Sequence, residues 1–187
     1  YTPVRHAGFV YEDGEYLKPA QRGLTAAEIF APRGLTALSF RWNYRQGELN
    51  ARPYHAVNLA LHLLVGLLFY AVACRRLAPR LAALAAALYL LHPLNSETVS
   101  YLAGGRAELI MALGSLIVAW ALSSPVVTWS HLGVALIGSV IAVGGKELGV
   151  LALPLAGLYA LWGRPWRWSR RGLMWSGVGA GVVAVLV

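Results

Sequence analysis

Apolar positions fall into six runs separated by short polar breaks: Ala56–Cys74, Leu81–Leu91, Leu109–Leu122, Leu132–Gly144, Gly149–Trp162 and Leu173–Val187. The first is a nearly unbroken stretch of 19 residues, close to the ~20 that a helix needs to cross a bilayer. Several of the others are shorter, and each alone reads equally well as a buried helix of a soluble protein. Their succession decides the matter. Between Leu109 and Gly163 the only charged residues are Lys146 and Glu147, so the pattern predicts an all-α polytopic transmembrane bundle. About six helices are expected over residues 54–187, the last cut short by the end of the chain.

Residues 1–53 have a different character, polar, rich in turn residues and mixed in charge, and are expected to form an extracytoplasmic loop bearing short helices. Thr25 followed by Glu28 has the spacing of a capping box and predicts a helix over Thr25–Phe30. A second is expected near Leu35–Tyr44. The chain begins at Tyr1, not Met, and stops at Val187 inside an apolar run. With no signal peptide and an incomplete last span, it is expected to be a piece of a longer protein that is inactive by itself.

Composition sharpens the membrane reading. Of 187 residues, 58% are hydrophobic and 13% charged, against the roughly 45–50% and 25% of ordinary soluble domains. A soluble domain of this size needs a larger polar coat. The net charge of +8 raises the question of nucleic acid, but nucleic-acid-binding domains are polar, and the placement of the arginines gives another account. Arg75, Arg76 and Arg80 occupy one interhelical loop, and Arg164, Arg167, Arg170 and Arg171 occupy another on the same side, with no acid in either. Intervening turns are poorer in cations, so the positive-inside rule makes the arginine loops cytoplasmic. Trp162, Trp166 and Trp168 suit an interfacial belt beside the second loop. The single cysteine, Cys74, excludes an internal disulfide and fits no metal cluster.

Polar residues that interrupt the apolar pattern are the functional candidates. His55, Asn58 and His62 lie at i, i+3 and i+7, within about a 60° arc of one helix face. Two readings stand for them: interhelical hydrogen bonding and, for His55 at the outer end, contact with a polar ligand. The stretch from His92 to Glu108 reads as an outer loop. There Glu97, Arg106 and Glu108 either pair with one another as a solvated cap, or Arg106 offers its fork of donors to a phosphate. Gly144-Gly-Lys-Glu147 reads as a surface turn or as a second cationic group facing that phosphate. Around Glu12, Asp13 and Glu15 the choice is between a polar turn about Gly14 and a general base that takes a proton from an attacking hydroxyl.

Taken in order, Phe9-Val-Tyr-Glu-Asp13, Arg33-Gly-Leu-Thr-Ala-Leu-Ser-Phe-Arg-Trp-Asn-Tyr44, Tyr54-His-Ala-Val-Asn-Leu-Ala-Leu-His62, the His92–Leu109 stretch and Lys146-Glu-Leu-Gly149 resemble the TMTC-type, tetratricopeptide-repeat-associated O-mannosyltransferases and their bacterial relatives. These are members of the GT-C glycosyltransferase superfamily. The resemblance covers residues 9–162 and implies a partial GT-C-like bundle. It implies inverting transfer of a sugar, mannose or another hexose, from a polyprenyl-phosphate carrier to a protein or other acceptor on the extracytoplasmic side. The family's acidic pair falls on Glu12 and Asp13, with Asp13 favoured as base. Arg33, His55, Arg106 and Lys146 are the candidates for binding the lipid phosphate, with His92 and Glu97 in support. Three positions depart from the family pattern: Glu12 where an aspartate is usual, Gly34 where a proline follows the arginine, and Asn95 where a histidine is common. The resemblance implies no metal and no cofactor beyond the lipid-linked sugar donor. It implies membrane lipids and a protein acceptor as partners, no nucleic acid, and a site in a bacterial inner membrane facing the periplasm. A transporter, for which polar groups on membrane helices and a Gly-Gly-Lys-Glu break also suffice, and a non-catalytic membrane scaffold are the competing classes.

Overall fold

The computed structural model describes residues 8–9 and 13–161. Among them it shows nine α-helices, one 3-10 helix and no strand: α1 (Asp13–Arg22), α2 (Ala26–Phe30), α3 (Gly34–Gly47), α4 (Ala51–Ala73), α5 (Pro79–Leu91), α6 (Pro93–Ser100), α7 (Leu102–Leu122), α8 (Trp129–Gly145), the 3-10 turn Glu147–Leu151 and α9 (Ala152–Leu161). The all-α expectation holds. The apolar run at Leu173–Val187, the second basic loop, the tryptophans at 162, 166 and 168, and Glu12 lie outside the described residues.

Local chemistry explains most of the helix starts. Thr25 and Glu28 form the expected reciprocal capping box on α2. Asn50 caps α4 through Arg52 N–H, and Thr128 pairs with His131 in a box on α8. Pro79 and Pro93 stand at the first positions of α5 and α6, where a missing N–H costs nothing and the fixed φ suits a helix. Gly23, at φ 96°, ends α1 in the left-handed conformation that glycine adopts without strain.

Two expectations need correction. Gly14 does not mark a turn: it lies in the first turn of α1, where Asp13 and Glu15 complement the helix dipole. Nor is the stretch from His92 to Glu108 a loop. It forms α6 and the first two turns of α7, because Pro93 opens a helix and the glycines after Tyr101 let two helices approach. A Cβ on Gly105 would sit 2.1 Å from the carbonyl oxygen of Thr98.

Helix α7 is the axis of the fold and touches α1, α3, α4, α6, α8 and α9. It runs antiparallel to α8 over a seam of small residues. A Cβ on Gly114 would fall 2.3 Å from Ala142 N, and one on Gly145 2.5 Å from Met111 N. Such small-residue seams let backbones pack closely where no hydrophobic effect drives helices together. α4 and α7 are long and apolar enough to cross a membrane; α5 and α8 are shorter apolar helices. The outer faces carry exposed leucines in helical register: Leu63 and Leu67 on α4, Leu81, Leu84, Leu88 and Leu91 on α5, and Leu155 and Leu158 on α9. An apolar band of this extent marks contact with something other than water, and it fits a membrane-associated chain.

The described residues before α4 pack onto the bundle. Arg33 N–H reaches the carbonyl of Val143 at 3.3 Å, Thr36 Oγ1 donates to Gly145 O at 2.9 Å, and Phe40 packs on Tyr54 with ring centroids 5.3 Å apart. α1 and α3 are thereby laid across one end of the bundle. The Gly114→Val variant is expected to lose about 1–3 kcal/mol of stability through overpacking of the α7–α8 seam, read as a lowered thermal midpoint of the detergent-solubilised protein; an unchanged midpoint would refute the close-approach account.

Candidate functional site

The site is built on the N-terminal turns of α7. Arg106 sits there completely buried. Its Nε donates to Asn58 Oδ1 at 2.8 Å, Nη1 to Asn43 Oδ1 at 2.5 Å and Nη2 to the backbone carbonyl of Tyr54 at 2.7 Å. The guanidinium lies over the rings of Phe40 and Tyr54, 4.6 and 5.6 Å from their centroids, where the aromatic faces favour a cation. Asn58 works in both directions: its amide also donates to Leu102 O at 3.1 Å. Three helices, α3, α4 and α7, are therefore tied through one charged group. The expectation that Arg106 points outward to a phosphate, or into a cap with Glu97 and Glu108, is corrected. Its donors are spent on interior acceptors that hold it away from the surface.

The polar stripe on α4 is an anchoring stripe. His55 and His62 are both buried. Their Nδ1 and Nε2, respectively, lie 3.3 Å from Val99 O and 3.2 Å from Leu90 O. A carbonyl only accepts, so those nitrogens carry the protons. The interhelical hydrogen bonding of the first reading is present: His55 reaches α6 at Val99 and His62 reaches α5 at Leu90.

Asp13 is also fully buried. Its Oδ1 accepts from the backbone N–H of Ala103 at 2.8 Å, satisfying one of the unpaired amides of the α7 N-terminus, where Tyr101 supplies no side-chain cap. A residue read in the sequence as part of a polar turn or as a candidate base thus also fastens α1 to α7.

Above this packed floor lies a hollow of about 250 Å³. Arg33, Lys146, Glu97, Glu108, Thr98 and Tyr101 are among its lining residues. Arg33 comes from the turn between α2 and α3, Lys146 from the end of α8, and Glu97 from α6. The structure brings these three sequence candidates together. Arg33 sits at φ 70°, a left-handed conformation uncommon for a side-chain-bearing residue. Gly34 follows because a Cβ there would meet Ile29 O at 2.0 Å. The Arg33 guanidinium forms a two-pronged pair with Glu147, Nε to Oε2 and Nη2 to Oε1, both at 2.7 Å, and Nη1 reaches Tyr16 OH at 3.4 Å. That hydrogen bonding lowers the Glu147 carboxyl from its ordinary 4.5 to about 2 and raises Arg33 further above its usual range. Lys146 Nζ donates to Glu108 Oε1 at 3.1 Å. His92 stands apart as the exposed N-cap of α6, accepting from Leu94 N–H at 3.2 Å. A second hollow, also about 250 Å³, lies on the other side of Arg33 and is lined by Glu15, Tyr16 and Glu28 among others.

Sequence reasoning missed Asn43, Tyr16 and the partner roles of Glu108 and Glu147. The adjacency of Lys146 and Glu147 carried a signal, since neighbouring opposite charges in an apolar context each need a partner elsewhere. Asn43 stood in the sequence only as a member of the Arg33–Tyr44 motif, with no role of its own. Among the described residues, no group of three His, Cys, Asp or Glu side chains is placed to hold a metal ion.

Known proteins similar to this chain share one description. It is 31% identical over 181 residues to Protein O-mannosyl-transferase Tmtc1 of Drosophila melanogaster, covering 84% of this chain and 21% of that protein. It is 38% identical over 81 residues to Protein O-mannosyl-transferase TMTC3 of Mus musculus, and 40% identical over 96 residues to TMTC4 of Homo sapiens, each over 43% of this chain. Its curated homologues are TMTC-family protein O-mannosyl-transferases. The chain fits a TMTC-like segment, and spans 21%, 9% and 13% of the length of these three relatives. No family model matches it, and no solved structure does.

Two measurements check this geometry. Arg106→Lys is expected to cost about 3 kcal/mol or more, because one ammonium cannot reach Asn43, Asn58 and Tyr54 O together; thermal unfolding indistinguishable from the parent protein would contradict the network. The Glu147 carboxyl, followed by carbon-13 NMR, is expected to titrate near pH 2, and nearer its ordinary value in Arg33→Gln. Since its folded-state pKa is depressed, the Arg33 link contributes stability above about pH 4.5 that is lost as pH falls through about 2.

Proposed function

We propose that this chain forms part of a membrane glycosyltransferase that moves a sugar, mannose or another hexose, from a polyprenyl-phosphate carrier to a protein hydroxyl on the extracytoplasmic side, with inversion at the anomeric carbon. The observation that carries the reading is the gathering of Arg33 and Lys146, 113 positions apart in the sequence, around one hollow directly above the turns of α7 that Asp13 caps. The Arg75–Arg80 turn belongs to the opposite end of the bundle, where Arg75 lies 4.7 Å from the centroid of the Trp120 ring. In this reading the arginine-rich end is cytoplasmic and the hollow faces the periplasm or its equivalent.

The chemistry follows from charge. As the acceptor oxygen attacks, it must lose a proton, and a carboxylate of the Glu12–Asp13 pair takes it. Asp13 is the favoured base, and its bond to Ala103 N–H holds the carboxylate in place. The departing lipid phosphate gains negative charge, which Arg33 as a planar fork and Lys146 as a point charge stabilise. Glu97, also on the lining of the hollow, has a supporting role. Because the phosphate-linked sugar is already an activated donor, the reaction draws on no further cofactor.

A scaffold reading has one observation in its favour: Asp13 is wholly buried and bonded to a helix amide, as a purely structural aspartate would be. Asp13→Asn in the full-length protein separates the two, since the amide oxygen still accepts from Ala103 N–H. Mannosyl transfer from a polyprenyl-phosphate donor is expected to fall by about 10²–10⁴-fold with the amount of folded protein retained; undiminished transfer would sink the catalytic assignment.

A further inference from the structure

Both cations of the hollow already have partners. Arg33 gives two donors to Glu147 at 2.7 Å, and Lys146 gives one to Glu108 at 3.1 Å. The pairs are open to solvent, with side chains 42% and 49% exposed in the first and 24% and 47% in the second. Lys146 and Glu147 are chain neighbours, yet each reaches to a different element, Glu108 on α7 and Arg33 before α3. The lining holds two carboxylates, Glu97 and Glu108, against two cations, Arg33 and Lys146, with Glu147 bonded to Arg33. Among the described residues, an anion arriving there faces these carboxylates as well as the two cations.

The two halves of Arg33 differ in freedom. Its backbone is held by the bond to Val143 O and by the contact between Gly34 and Ile29 that leaves no room for a Cβ. The guanidinium, by contrast, is aimed by whichever anion it grips. Exposed ion pairs contribute little to stability, so exchanging one anion for another is cheap, and the guanidinium fork fits phosphate oxygens as well as carboxylate oxygens.

We infer that Glu147 and Glu108 are exchangeable counter-ions, which keep Arg33 and Lys146 aimed across the hollow and release them to the phosphate group of a lipid-borne phosphate when it enters. This rests on the reading of the hollow as a phosphate site. It makes the two glutamates positioning residues that weaken donor binding while organising it, and gives the adjacent Lys146–Glu147 pair a purpose: one residue receives the phosphate as its neighbour withdraws from another receiver.

The test uses purified full-length protein in lipid nanodiscs with farnesyl phosphate as probe and inorganic phosphate in parallel. Glu147→Gln is expected to tighten farnesyl phosphate binding about threefold, and Glu108→Gln to do likewise. The first gain vanishes in an Arg33→Gln background and the second in Lys146→Gln, whereas a general field effect would persist in both. In the unsubstituted protein, saturating farnesyl phosphate is expected to raise the Glu147 titration midpoint from about 2 toward its ordinary 4.5 as Arg33 leaves it; this readout needs no variant to fold. Weaker binding in the glutamate variants, a gain that survives loss of the cation, or an unmoved Glu147 midpoint would each overturn the exchange. Equal affinity for inorganic phosphate would overturn the lipid-borne assignment. If Arg33→Gln and Lys146→Gln leave binding untouched, the phosphate reading itself falls; if they weaken it while the glutamate variants do not tighten it, exchange alone falls.

Discussion

A fully buried guanidinium is the constraint around which the rest of this structure is arranged. Taking a charge out of water costs several kcal/mol even after relaxation, and Arg106 of α7 is stable in the interior only because α3 and α4 deliver acceptors to it: Asn43 from α3, and Asn58 and the Tyr54 carbonyl from α4, all within 2.8 Å. Moving any of these helices by an ångström would strand a donor. The network therefore specifies geometry more than it adds stability. It also explains why the polar residues of α4 face inward, since Asn58 cannot serve Arg106 and Leu102 O together from any other face.

From that anchor the candidate site follows by layers. The first turns of α7 are held from below by Arg106 and from the side by Asp13, which caps Ala103 N–H. The small-residue seam with α8 keeps the end of that helix, and hence Lys146, close to α7 and Glu108. α3 is tied to the same end by Thr36, so the turn before it carries Arg33 to the hollow. The result is a stiff floor with a soft rim. Buried, hydrogen-bonded groups define where the hollow is, and exposed ion pairs on its edge remain free to change partners.

Charge is sorted along the bundle in the same spirit. Among the described residues, the acids gather at the end that holds the hollow and its flanking helices, while the Arg75–Arg80 turn lies at the other. The described part of the basic excess, at Arg75, Arg76 and Arg80, is thus separated from the acids by the length of the bundle. The near-neutral end is where opposing charges face one another closely enough for chemistry.

Helix content, the capping box at Thr25 and Glu28, the apolar runs and the inward stripe of His55, Asn58 and His62 were legible in the chain by itself, because each is local: caps, periodicity and hydropathy act over a few residues. The motif pattern likewise pointed to the relatives that similarity then identified. What the chain could not disclose was the depth of a charge. Arg106 reads as an exposed phosphate fork as long as Asn43, 63 positions away, has no place in space. Asp13 reads as a turn residue or a base until Ala103 is seen beside it, and Glu108 and Glu147 read as parts of a solvated cap and a surface turn until folding sets them against Lys146 and Arg33. Burial and pairing are properties of contacts between distant segments, and only the tertiary structure decides them.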